Sequence, residues 1–140
     1  MTFSGLNFLG VLLAFVVSFI SGGTWFGPKT LYPVWMKAKG IESGRLENDH
    51  NPAILFGGTI VAILVQTLTL GLIIASLSQH SKISVGTGAL VGLALGVGIG
   101  MFASLSHRLF SGDNFKVWII ETANDAINLT IAGAIIAFFN

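Results

Sequence analysis

The chain has 140 residues, enough for one domain, of which 53% are hydrophobic and only 9% charged. With a mean hydropathy of +0.83, that balance excludes an ordinary soluble globule. The formal net charge of +1 comes with no basic tract for nucleic acid, and the absence of cysteine excludes disulfides, thiolate catalysis and cysteine-ligated metals.

Four continuously apolar runs, at about residues 6–26, 53–77, 85–105 and 117–139, are each long enough to cross a hydrocarbon core of about 30 Å as a helix. They lack the alternation of membrane β-strands. The expected fold class is all-α: an integral-membrane bundle of four transmembrane helices. Residues 1–140 form a single membrane domain with loops at 27–52 and 106–116.

The first run lacks the positive flank of a cleaved signal, so it is expected to be a retained membrane helix. It carries Ser18 and ends at Gly22-Gly23-Thr24-Trp25-Phe26-Gly27-Pro28. The mixture of aromatics and lysines from Lys29 to Gly40 predicts a short interfacial helix, stopped by its glycine. Trp25, Trp35 and Trp118 are expected as interface anchors, since an indole favours the headgroup level. Glu42, Arg45, Glu47, Asp49 and His50 make the one hydrophilic stretch of any length. Asn51 is then an expected N-cap, with Pro52 in the first turn of the second span. That span carries Gln66 and leads into the turn Ser78-Gln79-His80-Ser81-Lys82.

In the third run Gly88, Gly92, Gly96 and Gly100 recur every four residues and are continued by Ser104. This row of small residues predicts a ridge on which another helix packs closely, in this chain or in a second copy. His107, Arg108, Asp113 and Lys116 mark the turn into the fourth run. There, at about 100° per residue, Glu121, Asp125 and Asn128 share one helical face with Asn124 beside it. An ionisable group near the bilayer centre costs at least about 2.5 kcal/mol unless it faces protein, water or a ligand. Counting about 1.5 Å per residue, Ser18 and Gln66 fall at depths comparable to Asp125 and Asn128, which makes a polar layer across the bundle feasible.

Of the seven cationic residues, Lys29, Lys37, Lys39, Arg45, Arg108 and Lys116 flank the two longer loops, and Lys82 lies opposite. The bias predicts those loops in the cytoplasm and both termini outside.

The pattern Ser21-Gly22-Gly23-Thr24-Trp25-Phe26-Gly27-Pro28 with Trp35-Met36 resembles the first-helix signature of a known family. Trp118-Ile119-Ile120-Glu121 with Asp125-Ala126-Ile127-Asn128-Leu129-Thr130 resembles its last helix. The family comprises small, mainly bacterial integral-membrane proteins, filed as domain of unknown function number seventeen sixty-one. The resemblance implies a four-helix membrane protein with no established activity, so no catalytic residue carries over; the expected location is the cytoplasmic membrane.

Glu121 and Asp125, one turn apart, repel if both are ionised; with amide and hydroxyl oxygens nearby they can hold a hard cation or relay protons. The alternative is interhelical glue, with Arg108 reaching down to neutralise Glu121. His50, His107 and Glu121 show no diagnostic metal-ligand spacing, and no nucleophile elbow, HExxH or phosphate loop is present. No enzyme, metal or cofactor is therefore expected. Two functions stay open: an oligomeric transporter or channel subunit for protons or a small cation, and a non-catalytic assembly protein packing on itself, a larger complex or a pigment.

Overall fold

The computed structural model describes residues 5–41, 51–79 and 81–140. The charged stretch 42–50 and the turn residue His80 lie outside the described residues. The helices are α1 (Phe8–Trp25), α2 (Tyr32–Ala38), α3 (Pro52–Leu77), α4 (Val85–Leu95), α5 (Phe102–Phe110) and α6 (Phe115–Phe139), with a π-helical turn at Gly96–Met101 joining α4 to α5. The described residues contain no strand. α1, α3, the unbroken Val85–Phe110 rod and α6 are each long and apolar enough to cross a membrane. The protein is thus an all-α, multi-pass membrane protein, and α2 stands where the short helix after the first span was expected.

Local chemistry sets these ends. Asn51 accepts from the Ala53 amide, and Pro52 occupies the first turn of α3. Gly40 and Gly112 have φ of +74° and +72°. Each closes its helix by two reverse bonds: Gly40 N–H to Lys37 O with Ile41 N–H to Met36 O, and Gly112 N–H to Leu109 O with Asp113 N–H to Arg108 O. The third span runs to Phe110, so the loop expected at 106–116 shrinks to a four-residue turn. His107 and Arg108 therefore belong to a helix rather than to that turn.

α6 is the axis of the bundle. Of its most apolar window 44% is buried, against 22%, 28% and 17% in the other three spans. α4 runs antiparallel along one side. A Cβ placed on Gly88 or Gly92 would strike the backbone at Gly133 or Leu129, and one on Gly96 would come within 2.7 Å of the Ala126 Cα. Glycine here permits backbone-to-backbone contact, the main source of helix association in lipid. α1 packs against another side, with Gly10 beneath Phe139 and Ile136. The Asn7 side chain caps α1 and donates to the Phe139 carbonyl at 2.8 Å, satisfying an orphan acceptor at the end of α6.

The ridge departs from expectation at Gly100. A Cβ there would meet only its own Leu95 carbonyl, at 3.7 Å. The cause is the π turn. A four-residue ridge drifts by about 40° per step on an α-helix, so Arg108 would lie about 160° from Gly92. One extra residue absorbed by the wide turn returns it to about 60°. Gly100 lies inside the wide turn, exposed and with no α6 atom near it, while Ser104 and Arg108 are brought back onto the α6 face.

The apolar core gathers at the end carrying the chain termini, among Leu6, Val11, Ala14, Leu70, Ile74 and Ile136. α1 and α3 are clasped there: a Cβ on Gly71 would lie 2.7 Å from Val11 and 2.9 Å from Leu6. Towards the opposite, loop end α3 stands free, with Ile54, Phe56, Val61 and Val65 at least 56% exposed. The two helices therefore leave a wedge between them, with α6 as its floor.

Candidate functional site

Two groups of polar side chains occupy α6, and they do different work. The first lies at the loop end and ties the bundle together. The Trp35 indole donates to Glu121 Oε1 at 2.8 Å. Arg108 pairs with the other Glu121 oxygen and with Asp113 at 3.2 Å. The Trp25 indole donates to the Ile120 carbonyl at 3.0 Å. These contacts fasten α1, α2 and α5 to α6. Glu121 is spent on them, as the glue alternative required.

The tryptophans all bond within the bundle. Trp118 is 3% exposed, and its indole donates to Ser104 Oγ at 3.1 Å and the Met101 carbonyl at 3.3 Å. It is a core residue, not an interface anchor. Trp25 and Trp35 are half-buried and aim their N–H groups at α6. An amphipathic ring suits either place, and the π turn supplied a partner that spacing did not reveal.

Glu121→Ala leaves both an indole N–H and a guanidinium short of an acceptor. We expect a loss of about 1–3 kcal/mol, the range for orphaning a buried partner. Thermal unfolding in detergent measures it, and Arg108→Ala in the same background should add less than it costs alone.

The second group lines the wedge. A cavity of about 650 Å³ lies between α1, α3 and α6, and Ser18, Gln66, Asn124, Asp125 and Asn128 all contribute to its wall. Four of these five are the layer expected from depth alone, and Asn124 joins them from the neighbouring position on α6. Glu121 does not line it. Thr59 and Gly22 also do, and both were missed. Thr59 lies seven residues before Gln66, hence on the same face of α3, so periodicity could have found it. Gly22 matters because the Asn124 and Asn128 amides lie 3.9 and 4.0 Å from where its Cβ would stand.

Within the cavity, Asn128 Nδ2 donates to Asn124 Oδ1 at 3.3 Å. Both asparagines are 8% exposed, and Asn128 Oδ1 is buried without a hydrogen-bond partner. Asp125 is exposed, and no hydrogen bond or ion pair joins its carboxylate to another described residue. It is the one charged side chain among the described residues of the wall. Among the described residues, no three His, Asp or Glu side chains gather as metal ligands. The arrangement is a set of neutral oxygen and nitrogen groups around one carboxylate that no described residue partners, with apolar walls.

The model of a family described as "Protein of unknown function (DUF1761)" matches residues 9–137. No curated protein and no solved structure matches the chain.

Proposed function

The chain belongs to the DUF1761 family of proteins of unknown function, and from its wedge we propose that it is a small carrier or channel subunit for protons or a small cation, with Asp125 as the ion-binding group. One observation carries this: a carboxylate with no described partner faces a cavity of about 650 Å³ whose wall also holds Ser18, Thr59, Gln66 and two asparagines. A carboxylate at such depth is costly unless water or a ligand reaches it. The apolar cluster at the terminus end closes the wedge behind Leu70 and Ile74, which suits a carrier better than an open pore. No catalytic step is assigned to the site. By the cation bias the loop end faces the cytoplasm, and both termini lie outside, in the cytoplasmic membrane.

A second reading has its own support. Gln66 and Asp125 are exposed on the single chain, and a second copy or a larger membrane complex would cover them in an assembly protein. Flux separates the two. In liposomes the unmodified protein should move protons or a small cation at least about tenfold faster than protein-free vesicles do. Asp125→Asn should fall to background with its thermal stability kept to within about 1 kcal/mol. Equal flux from Asp125→Asn, or none from either protein, would decide for assembly.

A further inference from the structure

Resting on the cation reading above, we propose that the wedge takes an organic ammonium, a cation with an apolar body, rather than a bare metal ion. Volume is the first reason. About 650 Å³ would hold roughly twenty waters at about 30 Å³ each, whereas a hard cation needs its oxygens drawn in to about 2.3–2.6 Å. The space is that of a small-molecule site, with apolar walls and a few placed polar groups.

The walls sort by depth. Trp25 meets Ile120, and Gly22 lies beside Asn124 and Asn128, so Phe26 and Phe56 stand at the loop-end mouth and Asp125 about a turn further in. Phe26 is held edge-on to Trp35, with ring centres 6.0 Å apart. An aromatic mouth accepts both an apolar body and a passing cation.

Inside, an ammonium finds its counter-charge in Asp125. Its other N–H groups need neutral acceptors. Gln66 offers one. Asn128 Oδ1 offers another: it is buried without a partner, and a turn about the soft χ2 of the amide, which gives up the long Nδ2 bond to Asn124, presents it to the cavity. That orphan acceptor, on a side chain 8% exposed, is a group a donor from the cavity would satisfy. Among the described residues of the wall none is cationic, so an ammonium meets no like charge from them.

The test is binding by calorimetry on the full-length protein in detergent, with four probes: 2-phenylethylammonium, its neutral isostere 2-phenylethanol, methylammonium and sodium. We expect 2-phenylethylammonium to bind at least tenfold tighter than the other three. Asp125→Asn should lose tenfold or more, and Phe56→Ala should lose several-fold for 2-phenylethylammonium with methylammonium unchanged. Circular dichroism melts confirm that each variant is folded. Equal binding of 2-phenylethanol, or binding untouched by Asp125→Asn, would mean partition into the detergent shell and would overturn the proposal. Sodium or proton flux that depends on Asp125, with no binding of 2-phenylethylammonium, would overturn the ammonium and leave the cation reading standing. Specific 2-phenylethylammonium binding without any flux would uphold the ligand class and overturn transport instead.

Discussion

Gly92→Leu should leave little or no folded protein. A Cβ at this position would overlap the Leu129 carbonyl oxygen and lie 2.6 Å from its carbon and 3.1 Å from the Thr130 Cα. Every one of those atoms is backbone, so relief requires α4 and α6 to part along their whole contact. Overpacking a core with side chains that can shift costs about 1–3 kcal/mol; here the cost should exceed that range, because no rotamer offers an escape. Gly98 is the control, since a Cβ there meets nothing within 4 Å. Gly98→Ala should be neutral or gain up to about 1 kcal/mol from helix propensity. Thermal unfolding with size-exclusion chromatography checks both. A Gly92→Leu protein as stable and as monodisperse as the unmodified one would remove the close contact from the account.

Asp125→Leu should raise thermal stability, or at the least not lower it, and abolish flux. An aspartate at the centre of a membrane helix costs about 2.5–3.5 kcal/mol on an insertion scale. Nothing described repays that cost, because no described residue bonds the carboxylate. Replacing it should recover part of the penalty and shift the melting temperature upward by several degrees. Glu121, one turn away, should behave in the opposite sense, since its removal strands Trp35 and Arg108. Melting curves for the two variants in one detergent read the contrast directly. A fall for Asp125→Leu as deep as that for Glu121→Ala would mark both carboxylates as glue.

Much of this was legible in the sequence because it follows from one-dimensional pattern. Apolar length gave four spans. Asn51 announced a helix start as a cap and Gly40 a helix stop, and rise per residue placed Ser18, Gln66, Asp125 and Asn128 at comparable depths. What escaped depends on a single local event, the π turn at Gly96–Met101. Spacing alone does not reveal where a glycine-rich helix will admit an extra residue. That turn takes Gly100 out of the ridge, turns Ser104 towards Trp118 and brings Arg108 to Glu121. Glu121 and Asp125 thereby acquire different surroundings, although their helical positions look equivalent. Shared depth and a shared face bring residues to one layer, but the partner of each is set by the register of the neighbouring helix.

If Asp125 binds an ion, the wedge must admit water to it from the loop side. The chain has no cysteine, so single substitutions report cleanly. Thr59→Cys and Gln66→Cys place a thiol on the cavity wall. Val61→Cys places one on the opposite face of α3, where Val61 is 58% exposed. In sealed vesicles of known orientation, a membrane-impermeant maleimide should label Thr59→Cys and Gln66→Cys from the cytoplasmic side and leave Val61→Cys unlabelled until detergent is added. Thr59→Cys and Gln66→Cys as unreactive as Val61→Cys, or labelled only from the other side, would contradict the account.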